Sequence, residues 1–362
     1  MAKLLTMWRH SEETPWLREA PVHPLQHALQ DLERAFQNFF TKRAGYPRFC
    51  KRGQRDSFRY PDPKQFKLDQ GNARIFLPKL GWLRYRKSRA VLGALRQVTV
   101  CAGAGKWFVG IQTEREVEDS LPQSTPSIGI DVGIVNFAAL SNGEFIAPLN
   151  SFRRHEQRLR RAQRAMSRKV KFSANWRKAK AKVQRIHARI ANARRDFLHK
   201  QSTTISNNHA LVCIEDLQVR QMSKSAAGTR DKPGRCVRAK SGLNKAILDQ
   251  GWYEFRRQLA YKLAWQGGVL LAVAAQNTSR TCPCCGHVSV ANRLSQARFA
   301  CMACHYQNHA DVVAAINILA RGTRVIACGA AAQSGAAMKQ EPARVLGARF
   351  TSSADGIPFL SA

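Results

Sequence analysis

Ile128-Gly129-Ile130-Asp131-Val132-Gly133 reads as an apolar strand interrupted by one carboxylate. A charge inside such a run is costly unless a partner or a cation receives it. Asp131 is therefore either a working acid or the start of a turn. Two more acids stand in comparable places. Glu215 ends the apolar run Leu211-Val212-Cys213-Ile214, and Asp311 opens the helical stretch Asp311-Val312-Val313-Ala314-Ala315-Ile316-Asn317. Taken singly each has an ordinary use, since Glu215 or Asp216 suits a helix cap and Asp311 an N-cap.

Taken together they suggest chemistry. Carboxylates gathered in one place repel one another until cations bind between them. Magnesium takes oxygen ligands and keeps several waters, so a few carboxylates suffice. Two such ions can cut a phosphodiester, one activating water and the other stabilising the leaving oxygen. An RNase H-like sheet places one Asp on its first strand, one acid at the end of a later strand and one on a following helix. The order Asp131, Glu215, Asp311 matches that arrangement and predicts an α/β nuclease domain.

Between the second and third acid lies Cys282-x2-Cys285-x15-Cys301-x2-Cys304, the spacing of a four-thiolate zinc ribbon. Gly286 follows the first pair, as a tight knuckle requires. Cys284 is a competing thiol, and His287, His305 and His309 are alternative ligands. Four thiolates leave no open position on zinc, so the expected role is structural. The other six of the ten cysteines are scattered, which fits a reducing cytoplasm rather than a disulfide framework.

The formal charge is +35, from 59 Lys and Arg against 24 Asp and Glu. Such an excess strains a compact fold unless a polyanion neutralises it, and nucleic acid fits better than a membrane because the basic residues spread along the chain. No segment approaches the ~20 apolar residues of a membrane span, and the start lacks the apolar core of a signal peptide. The imbalance peaks over residues 153–200, with 18 Lys and Arg and only Glu156 and Asp196 as acids. A solvated helix face normally mixes signs, so this imbalance on long helical matter favours a groove for a nucleic-acid backbone over a merely exposed face, with Arg160, Arg161, Arg164 and Arg168 as contacts.

Elsewhere the pattern predicts a helix over 24–42, a β-rich unit over 57–113 that forms part of a barrel, and a polar linker near 120–126. Two or three strands are expected over 127–147 with a turn at Asn142-Gly143. A mobile loop is expected over 220–242, a helix over 243–266 and a strand over 269–273. The domains predicted are a helical segment at 1–52, a β-rich unit at 53–120, a nuclease-like domain at 121–322 with the ribbon at 280–306, and a disordered tail at 323–362.

Gly129-Ile130-Asp131-Val132-Gly133, Ile214-Glu215-Asp216-Leu217, Thr278-Ser279-Arg280-Thr281-Cys282 and Ala310-Asp311-x2-Ala314-Ala315-x-Asn317-Ile318 resemble the TnpB family of insertion-sequence proteins. The resemblance covers about residues 15–321. It implies an RNA-guided DNA endonuclease related to compact type V CRISPR effectors. The implied architecture is a RuvC (RNase H-like) nuclease domain with an inserted zinc ribbon, preceded by a β-barrel wedge and a helical recognition segment. By the same resemblance Asp131, Glu215 and Asp311 hold magnesium, Arg280 assists, Cys282, Cys285, Cys301 and Cys304 hold zinc, and the partners are a guide RNA from the transposon end and double-stranded target DNA. Two departures stand out: a leading strand and helix usual in the family are absent here, and His305 replaces its usual Gly. The runner-up reading is a truncated or catalytically impaired relative that binds RNA or DNA.

Overall fold

The computed structural model describes residues 2–49, 53, 56–116 and 126–332. The chain divides into two compact units, Met1–Glu118 with Phe172–Arg185, and Asp119–Lys171 with Ile186–Ala362. Among the described residues no helix is long and apolar enough to cross a membrane.

The first unit opens with helices α1 (Ala2–His10) and α2 (Val22–Phe40). Pro24 sits in the first turn of α2, where a missing N–H goes unnoticed. Six strands follow: β1 (Ser57–Tyr60), β2 (Lys67–Asp69), β3 (Arg74–Leu77), β4 (Gly81–Arg84), β5 (Ala94–Gly103) and β6 (Lys106–Glu114). They form two antiparallel sheets, β1-β5-β6 and β2-β3-β4. Tyr60, Phe66, Ile75, Leu77 and Val98 make one core between them. No ladder joins the two sheets among the described residues, so the part-barrel takes the form of two sheets over a common core.

The second unit is built on a single sheet of β7 (Ser127–Val132), β8 (Ala138–Leu140), β9 (Phe145–Ile146), β10 (Leu211–Glu215) and β11 (Val269–Val273), in the order β11-β10-β7-β8-β9. β7, β8 and β9 form an antiparallel meander, and Gly143 at φ +91° makes the turn at Asn142-Gly143. β10 and β11 run parallel to the β7 direction, which requires crossovers. The first crossover contains α3 (Ser151–Ser167) and α4 (Ala174–Asn208). The second contains α5 (Val219–Met222), α6 (Val237–Gln250) and α7 (Trp252–Trp265). The ribbon hairpin, β12 (Arg298–Ala300) and β13 (Gln307–His309), leads into α8 (Ala310–Ala332).

Three expectations are corrected. The loop over 220–242 ends early, because α6 begins at Val237, and its middle is pinned by a backbone bridge between Gly228 and Pro233. The helix over 243–266 is two helices, broken at Gly251, whose φ of +75° is left-handed. The tail does not lose structure at 323, since α8 continues to Ala332. The linker at 120–125 and the tail beyond 332 lie outside the described residues.

Side chains alternate across the sheet. Ile128, Ile130, Val212 and Ile214 join the core formed with Leu198, Ile205, Phe255, Leu259 and Leu263 of the crossover helices. Gly129 and Cys213 face the other way, toward α8. A Cβ on Gly129 would stand 2.0 Å from the carbonyl oxygen of Ala315, and one on Gly322 would stand 2.1 Å from Cys213 Sγ. These two glycines let α8 lie directly on the sheet.

Gly129→Ala is therefore expected to destabilise the protein by ~1–3 kcal/mol, because the added methyl meets backbone that cannot yield. Gly242, inside α6, has open space around its Cα. Gly242→Ala should instead stabilise by ~0.5–1 kcal/mol through helix propensity. Denaturant unfolding of the two variants checks both signs.

Candidate functional site

β10 pairs with β7 so that Cys213 lies beside Gly129 and Ile214 beside Ile130. The next step along both strands is Glu215 and Asp131. By alternation these two acids share the face that Gly129 and Cys213 present to α8. α8 brings Asp311 to that face from its first turn. Three acids far apart in the sequence are thus gathered at the C-terminal end of one strand pair.

The effect of the gathering falls on Asp131. Burial, then the charges of Glu215 and Asp311, push the Asp131 carboxyl up to about 8, with Arg293 pulling the other way. Burial likewise raises Glu215, which is 9% exposed, against the pull of the Thr278 hydroxyl and the Arg321 charge. Thr278 Oγ1 donates to Glu215 Oε1 at 2.7 Å. Thr278 is in turn held by α8, because Asn317 Nδ2 donates at 2.7 Å to the carbonyls of Thr278 and Thr281. Arg321 Nη1 donates to the carbonyl of Ala274 at 2.9 Å, fastening the same helix to the end of β11.

Asp131 and Asp311 line a cavity of about 180 Å³, walled by residues 132–136 and roofed by Arg293 and Gln296. Arg293 Nη2 lies 3.5 Å from Asp311 Oδ1. Glu215 lies outside the lining. An all-oxygen donor set with more negative than positive charge suits a hard divalent cation such as magnesium.

The thiols of Cys282, Cys285, Cys301 and Cys304 lie within 4.8 Å of one another. That donor set fits one tetrahedral zinc. Cys284 is exposed and outside the group, and no histidine joins it. His309 instead accepts the amide of Asp311 at 3.3 Å. Gly286 at φ +74° and His305 at φ +61° turn the two knuckles alike, so His305 takes up the left-handed geometry that glycine adopts more cheaply.

Arg280 is exposed and makes no side-chain bond among the described residues; the guanidinium at the acids is that of Arg293. Neither Arg293 nor Thr278 had been assigned a role by spacing. Arg160, Arg161, Arg164 and Arg168 are all exposed on α3 or at its end. Arg160 pairs with Glu156 at 2.9 Å. Arg161, Arg164 and Arg168 fall at three- and four-residue steps, which align them along one side of the helix.

Known proteins resemble this chain along most of its length. The family OrfB_IS605, described as probable transposase, matches residues 110–226, and the Cas12f1-like TNB domain family matches residues 252–318. InsQ of Escherichia coli (strain K12), provisionally named an RNA-guided DNA endonuclease, is 56% identical over 96% of this chain and 86% of its own. A protein of Streptomyces pristinaespiralis with the same provisional description is 38% identical over 94% of this chain and 83% of its own. A cryo-EM structure of a Cas12f1–sgRNA–target DNA complex superposes with a TM-score of 0.50 at 15% identity, covering 80% of this chain and 69% of that one.

A carboxyl with a raised folded pKa binds its proton more tightly folded than unfolded. For Asp131 that stabilising contribution is present below the ordinary carboxylate range and lost as pH rises through about 8. Without added magnesium, the protein should lose thermal stability between about pH 5 and pH 8, and Asp131→Asn should remove much of that loss. Magnesium should raise the melting temperature more at the upper end of this range than at the lower. Equal magnesium shifts at both ends would assign the pH dependence to other groups.

Proposed function

The chain belongs to the TnpB family of insertion-sequence proteins, and from that premise we propose that it is an RNA-guided DNA endonuclease of a transposable element. In this reading the second unit is an RNase H-like RuvC nuclease domain that hydrolyses DNA phosphodiesters with magnesium. One observation carries it: parallel pairing sets Glu215 beside Asp131 on the face where α8 delivers Asp311. The strand order β11-β10-β7-β8-β9, an antiparallel meander continued by two parallel strands, supports the same assignment. The first unit supplies the wedge and recognition parts, and the ribbon carries a structural zinc.

Asp131, Glu215 and Asp311 would hold the magnesium ions. When bound, divalent cations supply Lewis-acid polarisation of the phosphate and acidification of the attacking water. The protein's own groups prepare the site. Thr278 fixes one oxygen of Glu215, so that carboxylate meets its ligand already oriented. Asp131, raised to about 8, gives up its proton readily only when positive charge arrives. Arg293 neutralises part of the cluster in the meantime. With cations on the acids, its guanidinium would be released from Asp311 and could donate to a phosphate oxygen. Arg161, Arg164 and Arg168 offer a row of charge to a nucleic-acid backbone, whether of target DNA or of a guide RNA from the transposon end. The presence of all three acids in one place favours a working nuclease over a binding-only relative.

Asp131→Ala is expected to abolish magnesium-dependent cleavage while RNA binding persists, because a metal ligand is lost and the basic surface is not. Cleavage and filter-binding assays on the same preparation check it, and near-normal cutting would remove Asp131 from the site.

Replacing Arg160, Arg161, Arg164 and Arg168 by Gln should flatten the salt dependence of binding. Each lost phosphate contact removes about 0.9 from the log–log slope on duplex DNA and about 0.7 on single strands. An unchanged slope would make this side of α3 an ordinary solvated surface.

A further inference from the structure

One buried side chain connects the ribbon to the carboxylate site, and the mechanism above gives it no part. Asn292 is 0% exposed. Its Nδ2 donates to the carbonyls of Arg280 at 3.0 Å and His287 at 3.1 Å, and its Oδ1 accepts the amide of Met302 at 3.0 Å. Each partner marks a different part of the ribbon. The His287 carbonyl also receives the amide of Cys282, closing the first knuckle. Met302 directly follows Cys301 in the second knuckle. Arg280 leads the chain into the ribbon. A single carboxamide therefore ties both knuckles and the entering segment together, and no other side chain of its shape offers two donors and an acceptor in this arrangement.

The next residue is Arg293. A backbone bridge to Phe299 fixes it against the ribbon core, where Phe299 is buried with Cys282 and Cys301. Its guanidinium is aimed by two carbonyls, with Nε donating to Ser295 at 3.4 Å and Nη2 to Gln296 at 3.1 Å. Nη2 then reaches Asp311 at 3.5 Å. From the four cysteines to the acids the path runs through the hydrogen bonds of Asn292, the chain from Asn292 to Arg293 and the ion pair with Asp311, and Asn292 is the element that both knuckles share.

We propose that Asn292 is a positioning residue that couples the order of the two cysteine knuckles to the place of Arg293 over the carboxylates. The inference rests on the nuclease reading and extends it, because it gives the ribbon a part in cutting. Metal held by the thiols keeps the knuckles in register, the knuckles hold Asn292, and Asn292 sets the segment from which Arg293 projects. The coupling is reciprocal: whatever keeps Arg293 at Asp311 also favours the closed ribbon.

The test is a double-mutant cycle in the full chain, with the RNA that co-purifies with it and a matching plasmid. Cleavage rate and zinc content are measured for Asn292→Ala, Arg293→Ala and the double variant. Asn292→Ala should slow cleavage by about 10–100-fold, the range for lost supporting contacts around a metal site, and should add little in the Arg293→Ala background. Losses that multiply would mean that the two residues act independently, and would overturn the proposal. Should Asn292→Ala empty the ribbon of zinc, a zinc-selective chelator makes the same comparison. Chelation must slow the protein that has Arg293 and leave Arg293→Ala unchanged; equal slowing of both overturns the coupling.

Magnesium binding followed by calorimetry gives a readout apart from cutting. Asn292→Ala and Arg293→Ala should both shift the titration toward tighter binding, because each withdraws the guanidinium that competes for the acids. An unshifted Asn292→Ala titration counts against the proposal. Asp131→Ala separates the two levels of inference. If that variant still cuts, the site reading itself fails; if it is dead while Asn292→Ala cuts at the normal rate, only the role of Asn292 fails.

Discussion

The contact of α8 with the sheet is the constraint on which the rest of the second unit depends. A helix normally stands off a sheet by the length of the side chains between them. Here Gly129 and Gly322 remove those side chains at two points, and the backbone of Ala315 comes to where a Cβ of Gly129 would be. The helix can then deliver Asp311 to the strand ends. It also presents Asn317 to the loop of Thr278 and Arg321 to the end of β11. A bulkier residue at either glycine would lift the helix, and the acids would part.

That arrangement sets stability against function. Acids on a largely buried face repel, which helps to raise Asp131 to about 8, and the Arg293 guanidinium stands against Asp311. Neither is a complete solution, because a proton leaves as pH rises and the two charges of Arg293 and Arg321 fall short of three carboxylates. In the proposed nuclease reading, that remaining imbalance is what divalent cations would neutralise. The thiol cluster follows the same logic with softer donors, and Asn292 lies between the two.

Much of this was legible in the sequence. Asp131 stood out because a carboxylate interrupted an apolar strand, Glu215 because it closed one, and the cysteines because their spacing has few other uses. The turn at Asn142-Gly143 and the strand over 269–273 were legible as well. What remained hidden depended on register and on turns. The pairing that sets Glu215 beside Asp131 is a property of two strands, and neither strand alone contains it. Arg293 looked like one basic residue among many, since its place is set by a ribbon turn and a buried asparagine with no recurring pattern. Arg280 stood out only through the family resemblance, and among the described residues it makes no ion pair with the acids. Gly251 split a helix that its neighbours' periodicity ran through, and α8 outlasted the point where small residues suggested disorder.

The parallel pairing of β10 with β7 also has a consequence in time. Parallel strands cannot be joined by a tight turn, so a long intervening chain must be made and folded before they meet. The third acid arrives later still, on the last described helix, after the ribbon has been threaded. A chain still emerging from the ribosome carries the meander and its first acid early, but the three acids cannot meet until α8 is made. If these acids are the cutting centre, as proposed, the order of elements along the polypeptide would delay its assembly until nearly all of the basic surface had been made.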